Sequence, residues 1–233
     1  MKRPPDLCVY CGTTDNLTDE HAPPRLIFPK PRPSNLITVP ACDAHHTDQQ
    51  SRDDELFRFQ LAIDPRAEFS PSARKLWPSL IESIAKPRKA GWTSYVLRTV
   101  RKRPVSTEAG LYVGDLPTYE LDIPRLHRVA DRIIRGLYFA HLREPVPATH
   151  AVDVFAAPLV RGLSENVRQG FEPLIAFVQQ EPAIVIGDRV FRYHFRPDPI
   201  DESSCVVSLI FYEAFTFLGW VMPQSKPSRD DIG

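Results

Sequence analysis

The spacing of apolar and polar residues predicts a mixture of helices and strands. Residues 124–143 place an apolar side chain at every third or fourth position, which is the period of an amphipathic helix, and Pro124 suits its first turn. A second helix is predicted from about Thr47 to Ala62. A third is predicted over residues 71–90, with an interruption near Pro78.

Other segments alternate in polarity or form short apolar runs, as strands do. Residues 189–196 alternate strictly, and residues 204–222 supply two long apolar strands with a turn near Glu213. Further strands are predicted over residues 36–39, 92–103 and 151–157, whereas residues 171–180 suit either a helix or a strand. We therefore predict an α+β fold in which the C-terminal part contains an antiparallel sheet.

Composition narrows the class of protein. The chain has 233 residues, of which 42% are hydrophobic and 25% are charged, so it can bury a core and is not expected to be disordered. No run of 18 apolar residues occurs, and the N-terminus lacks the apolar stretch of a signal peptide. We expect a cytoplasmic protein without a membrane span. Its 24 prolines predict stiff loops.

Charge is balanced overall but unevenly distributed. The net charge of zero argues against a protein that coats nucleic acid, yet residues 1–105 carry 17 basic and 12 acidic side chains. A basic run near residues 86–103 can bind phosphate or can simply face water, and its candidate DNA-binding residues are Lys86, Arg88, Lys89, Arg101, Lys102 and Arg103. The arginines of the 124–143 helix can follow a phosphate backbone or pair with acids on the surface, and pairing is the favoured prediction.

The cysteines predict a zinc site near the N-terminus. Cys8 and Cys11 form a CxxC knuckle, and Cys42 and His45 form a CxxH knuckle about thirty residues later. Two such pairs supply the four ligands of a tetrahedral structural zinc ion. His46 adjoins His45 and is an alternative fourth ligand. Cys205 lies in an apolar run and is predicted to be a buried strand residue.

The segment between the two knuckles carries the residues with catalytic chemistry. A short β-rich start ends at Cys11, and the acidic pair Asp19-Glu20 is followed by His21 and a proline-rich loop. Asn35 precedes the predicted strand, and the second knuckle opens the Thr47–Ala62 helix. The predicted order is strand, strand, helix, held together by zinc. The acids of the helix, Asp53, Asp54 and Glu55, are expected to complement its dipole or to face water.

This arrangement resembles the zinc-stabilised HNH endonucleases over about residues 6–60. The resemblance rests on the two knuckles, on Glu20-His21, on Asn35-Leu36 and on His46. It implies the ββα-metal fold, with His21 as the general base and with Glu20 and His46 as ligands of a catalytic divalent ion. By the same resemblance, Asn35 orients His21 or braces the loop.

The residue types suit phosphodiester hydrolysis independently of the resemblance. A histidine with a pKa near neutral can take the proton of an attacking water. A carboxylate and an imidazole can hold a divalent ion that stabilises the phosphate, and such ligands suit Mg²⁺, Mn²⁺ or Ni²⁺, whereas the cysteine-rich site suits zinc.

The sequence thus predicts an HNH-like zinc module at residues 1–70, an α+β domain of unknown role at 71–222 and a flexible tail at 223–233. The leading hypothesis is a metal-dependent endonuclease that cuts DNA, with a further protein partner possible through the C-terminal domain. The alternative is a non-catalytic zinc-stabilised module that binds nucleic acid or protein.

Overall fold

The computed structural model describes residues 7–64, 67, 69–86, 90–107, 109–156 and 165–224. These residues form helices and three antiparallel sheets, which confirms the predicted α+β class. Two of the sheets are hairpins of two strands, and the third has five strands.

The N-terminal part consists of a hairpin followed by a helix. Strand β1 (Leu17–His21) pairs with β2 (Thr38–Cys42), and this register places His21 opposite Thr38. Helix α1 (Asp48–Ala62) begins after Thr47, whose hydroxyl accepts from the Gln50 amide, while the Gln50 side chain accepts from the Thr47 amide. This capping box fixes where α1 begins.

The middle of the chain contains three short helices and the second hairpin. They are α2 (Pro71–Arg74), α3 (Trp77–Ala85), α4 (Ala90–Thr99), β3 (Val100–Ser106) and β4 (Tyr112–Tyr119). The predicted 71–90 helix is therefore two helices with a break before Trp77.

The C-terminal part begins with the longest helix and continues into the five-stranded sheet. Its elements are α5 (Ile123–Leu142), β5 (His150–Ala156), α6 (Glu165–Val178), β6 (Ile184–Ile186), β7 (Phe191–Pro197), β8 (Cys205–Phe211) and β9 (Phe215–Pro223). The strands lie in the order β5-β9-β8-β7-β6. The ambiguous segment 171–180 is thus mostly helical. Cys205 is 1% exposed, as predicted for a core strand residue.

Two sequence-based predictions about elements are wrong. Residues 92–99 are helical because Val96 is buried and Trp92 packs against the core, and a helix places residues four apart on one face. The first strand follows Cys11 rather than preceding it, since residues 9–11 form the turn of the knuckle. The predicted flexible tail at 223–233 stays a prediction: Pro223 is the last residue of β9, and residues 225–233 lie outside the described part.

Helix α5 lies between the N-terminal hairpin and the large sheet. A Cβ atom on Gly136 would stand 2.5 Å from the Ala22 Cβ, and one on Gly219 of β9 would overlap the Ile134 Cδ1. Buried residues from residue 27 to residue 221 form one hydrophobic cluster around this helix. The N-terminal and C-terminal parts therefore share a core, and the predicted boundary near residue 70 stays a prediction.

No helix within the described ranges has the length and apolar character needed to cross a bilayer.

The close approach at Gly136 can be tested by adding a single methyl group. We expect Gly136→Ala to destabilise the protein by about 1–3 kcal/mol, because the methyl group forces α5 away from the hairpin at Ala22. The control is Gly91→Ala in α4, where nothing lies within 4 Å of the added Cβ and helix propensity favours alanine by up to about 1 kcal/mol. Urea unfolding measures both variants. Equal stability of the two would contradict the packing described.

Candidate metal centre and adjoining polar site

Cys8, Cys11, Cys42 and His45 converge on one point between the hairpin and the start of α1. Their ligand atoms all lie within 4.8 Å of one another. The Cys11 and Cys42 Sγ atoms are 3.7 Å apart, and the His45 Nδ1 lies 3.5 Å from the Cys8 Sγ and 3.3 Å from the Cys42 Sγ. This cluster can bind a metal ion such as zinc.

The distances fit a tetrahedral zinc site. Zinc–sulfur bonds of about 2.3 Å and zinc–nitrogen bonds of about 2.0–2.1 Å place tetrahedral ligands about 3.8 Å apart for two sulfurs and about 3.6 Å apart for sulfur and nitrogen. Three thiols and one imidazole are also the ligand types that zinc prefers. The fourth atom of the cluster is Nδ1 of His45, whereas Nδ1 of His46 faces Glu20, and this arrangement favours His45 over His46 as the fourth ligand.

Local backbone geometry brings the two knuckles together. The Gly12 amide donates to the Cys8 carbonyl at 2.8 Å, and Gly12 has a φ of 76°, a conformation that glycine adopts without strain. A turn of 3-10 helix (Asp43–His45) returns His45 to the side of Cys42. The Tyr10 ring packs on the His45 ring at a centroid distance of 5.0 Å and shields it.

Glu20 and His46 meet beside this cluster. The Glu20 Oε2 lies 3.3 Å from the His46 Nδ1, and the other imidazole nitrogen, Nε2, lies 2.8 Å from the Thr18 hydroxyl. The Thr18 hydroxyl also donates to the Ala41 carbonyl at 3.3 Å. His46 thus contacts residues of β1 through both of its ring nitrogens.

His21 lies at the end of β1, next to Glu20 in sequence. Its Nδ1 is 3.4 Å from the Thr38 hydroxyl, and this contact orients the ring. Asn35 contacts a different part of the molecule, since its amide donates to the Val185 carbonyl at 3.4 Å. The structure therefore brings Glu20 and His46 together, whereas His21 adjoins Glu20 along β1 and its ring contacts Thr38. The roles of His21 as a base and of Asn35 in orienting it or bracing the loop stay predictions.

A buried polar network connects this site to α5. The Arg132 Nη1 lies 3.6 Å from the Glu20 Oε1, and its Nη2 donates to the Asp54 carboxylate. Asp53 accepts from the Arg125 Nε at 2.6 Å and from the Arg128 Nε at 2.9 Å. Of the two expectations for these acids, facing water is wrong for Asp53, which is buried, and Asp54 is half-buried; opposite charges on α5 compensate both carboxylates.

The two carboxylates respond differently to their surroundings. Burial by itself would raise the pKa of Asp53, but the hydrogen bonds and charges of Arg128 and Arg125 outweigh it and hold that pKa below its usual range. Burial raises the pKa of Asp54 to about 6, although the charge of Arg132 acts in the opposite direction. Asp53 is therefore the more firmly ionised of the pair.

The arginines of α5 are paired, as the sequence favoured. Arg135 contacts Asp131 at 3.0 Å, and the others hold Asp53 and Asp54. Sequence reasoning missed the part that Arg132 plays beside Glu20. Two patterns in the sequence could have indicated this role of Arg132. Two consecutive acids lie on the predicted Thr47–Ala62 helix, and arginines recur every three or four residues on the next long helix.

Most of the described candidate DNA-binding residues already face a carboxylate. The Lys86 Nζ lies 3.6 Å from Glu82, and Arg101 Nε and Arg103 Nη2 approach Glu120 at 3.5 and 3.1 Å. Lys102 lies opposite Pro117 on the other face of the hairpin. Arg88 and Lys89 lie outside the described residues. A role for this group in DNA binding stays a prediction.

Comparisons with protein-family models, with curated proteins and with solved structures find no match for this chain. Any functional assignment therefore rests on its residues and their geometry.

The choice of zinc ligand can be tested by comparing variants of the two adjacent histidines. We expect His45→Ala to lose most of its bound zinc, because Nδ1 of His45 completes the ligand cluster, whereas His46→Ala keeps a stoichiometric amount. Zinc content after gel filtration, measured by atomic absorption, gives the result. Cys11→Ser should behave like His45→Ala, and Cys205→Ser should keep its zinc. Zinc loss in His46→Ala with zinc retention in His45→Ala would contradict the assignment.

The Asp53 network can be tested by truncation. Asp53→Ala should lower the free energy of unfolding by about 3 kcal/mol at pH 7, because Arg125 is left buried without its counter-ion. Since the folded pKa of Asp53 is lowered, its stabilising contribution is present above the ordinary aspartate pKa and disappears as pH falls through the lowered value. Urea unfolding over acidic pH should thus show a smaller decrease of stability in the variant.

The matched control for this measurement is Asp48→Ala at the exposed start of α1, which should cost about 1 kcal/mol or less. A destabilisation in Asp53→Ala no larger than that of the control would show that the network contributes little.

Proposed function

We propose that this protein is a metal-dependent endonuclease of the HNH type, with His21 as the general base and DNA as its substrate. The observation that carries the proposal is the meeting of Glu20 Oε2 and His46 Nδ1 at 3.3 Å, one residue from His21 and beside a zinc-type cluster. The order of strand, strand and helix in this part of the chain is the order that such a module requires.

The geometry of Glu20 and His46 suits a shared divalent ion. Two adjacent ligands of an octahedral ion, each about 2.0–2.1 Å from it, lie about 3 Å apart, close to the separation of these two atoms. A carboxylate oxygen and an imidazole nitrogen are also ligand types that Mg²⁺, Mn²⁺ or Ni²⁺ accept. The ion, when bound, would stabilise negative charge on the phosphate and the leaving oxygen.

His21 supplies the proton chemistry in this proposal. Its Nδ1 is held by Thr38, which leaves Nε2 to accept the proton of a water as the water oxygen bonds to phosphorus. The phosphorus–oxygen bond to the leaving group then breaks. Arg132, on the other side of Glu20, holds that carboxylate in place from α5.

One observation favours the alternative, a non-catalytic zinc module that binds nucleic acid or protein. Arg132 already supplies a positive charge at 3.6 Å from Glu20, so this carboxylate does not depend on a metal ion for a counter-ion. The two functions differ in the number of metals bound. The endonuclease binds a second divalent ion weakly at Glu20 and His46, and the alternative binds zinc alone.

Cleavage and metal binding test the proposal together. Wild-type protein incubated with plasmid DNA and Mg²⁺, Mn²⁺ or Ni²⁺ should nick or linearise it, and His21→Ala should reduce the rate by about 10²–10⁴-fold. Zinc content and DNA affinity should stay near those of wild type, because His21 is not part of the zinc cluster.

The control is His194→Ala, a change to a partly exposed histidine on β7. Cleavage by this variant should match that of wild type. Mn²⁺ binding, followed by electron paramagnetic resonance, should weaken in Glu20→Ala. Equal cleavage by His21→Ala and wild type would remove the proposed role of His21, and a wild-type protein that cleaves with none of the three ions would favour the alternative function.

A further inference from the structure

Four basic side chains line a cleft beside the proline-rich loop that follows His21. The cleft has a volume of about 420 Å³. Lys30 and Arg32 come from the loop, Arg58 comes from α1, and Lys75 lies between α2 and α3. Within the described part of the chain, Glu82 is the one acid that lines the cleft. We call these four cations and the space between them the basic cleft.

The positive charge of the basic cleft exceeds the negative charge that the protein places there. Among the residues that the structure describes, none of these four cations forms an ion pair, and Glu82 instead approaches the Lys86 Nζ at 3.6 Å. The basic cleft therefore differs from the basic hairpin β3–β4, where Arg101 and Arg103 converge on Glu120. Uncompensated cations around a concave surface attract anions.

Arg58 provides a second sign that a ligand belongs here. Its Nη2 donates to the Ser79 hydroxyl, but its Nε is buried and has no hydrogen-bond partner in the described part of the chain. Burial lowers the pKa of Arg58; Tyr212 and Glu55 act in the opposite direction, and the positive charge of Arg32 adds to the lowering. An anion in the basic cleft would relieve the repulsion between the two guanidinium groups and could accept from the buried N–H.

The loop that carries Lys30 and Arg32 is held in place before any ligand binds. Ile27 and Phe28 are buried, and the Tyr212 hydroxyl donates to the Ile27 carbonyl at 2.7 Å. The Arg32 Nε donates to the Arg25 carbonyl at 3.3 Å, so the rest of its guanidinium remains to bind an anion. Binding would thus require little ordering of this loop.

We propose that the basic cleft binds phosphate groups of a nucleic-acid backbone. The choice of a nucleic acid among phosphate compounds rests on the proposed function, because the loop that lines the cleft starts at the residue after His21. Guanidinium and ammonium groups contact phosphate oxygens without reading bases, so the basic cleft would hold and orient the strand irrespective of its sequence.

Salt-dependent DNA affinity tests this inference. The probe is a fluorescein-labelled 20-base-pair duplex in buffer without divalent ions, and its fluorescence anisotropy gives the affinity at several salt concentrations. Removing one cation that binds a phosphate should reduce the slope of log K against log salt by about 0.9. We expect a reduction of about 0.9 in Lys75→Glu and of about 1.8 in Arg32→Glu/Lys75→Glu.

The matched control is Arg74→Glu, which makes the same change of charge at the neighbouring exposed residue outside the cleft lining. Its slope should stay that of wild type. An unchanged slope in the double variant, an equal reduction in Arg74→Glu, or a wild-type protein that does not bind the duplex at about 50 mM salt would each overturn the inference.

Cleavage separates this inference from the proposed function. At subsaturating DNA, the double variant should cleave plasmid more slowly in proportion to its weaker binding, whereas His21→Ala should bind with the wild-type slope and fail to cleave. A reduced slope in the double variant together with full cleavage by His21→Ala would support the basic cleft and remove the proposed catalytic role. An unchanged slope in the double variant together with loss of cleavage in His21→Ala would remove the basic cleft and support the proposed catalytic role.

Discussion

Helix α5 packs between the N-terminal hairpin and the five-stranded sheet, and at each point of closest approach there is no room for a Cβ atom on one of the two partners. Gly136 faces Ala22 at the end of the hairpin, and Ile134 fills the space above Gly219 of β9. Both positions require a residue without a Cβ atom, so the separation of hairpin and sheet is set by the backbone itself. The apolar stripe from Leu126 to Leu137 then buries against the common core.

The arginines of the same helix hold the polar side chains of β1 and α1 in place. Arg132 reaches both Glu20 of β1 and Asp54 of α1, and Asp53 binds Arg125 and Arg128. Since arginines and acids are on different elements, these pairs fix the position of the hairpin and α1 along α5. The Cys3His cluster fixes the other end of the hairpin relative to α1. Glu20 and His46 therefore lie between two independent constraints, which is a requirement for a precise site.

The elements that could be predicted are those whose pattern is strong and local. Helix α5 and strands β7, β8 and β9 follow directly from their apolar periodicity, and the zinc-type cluster follows from the spacing of Cys8, Cys11, Cys42 and His45. The alternation of residues 92–99 predicts a strand, but the segment is a helix. Trp92 and Val96 are four residues apart, so a helix also places both of them on the side that packs against the core.

The parts of the site that the sequence could not predict depend on long-range contacts. Asp53 and Asp54 belong to a polar helix whose own pattern gives no reason for burial, and only the arginines of α5, more than 70 residues later, make that burial favourable. The basic cleft likewise assembles its four cations from separate elements. For Asn35, the family resemblance implies that it orients His21 or braces the loop, and the contact that the structure shows is the one from its amide to Val185 of β6.

The hydrogen bond from Tyr212 to the Ile27 carbonyl has a consequence for the synthesis of the protein. It spans 185 residues and joins the loop after His21 to the turn between β8 and β9. A ribosome makes the zinc ligands and the loop first, yet the loop can reach its final packing only after the last two strands have emerged. The zinc cluster can thus form on a nascent chain well before the neighbouring loop is in place, so metal loading and completion of the adjoining site are separate events in time.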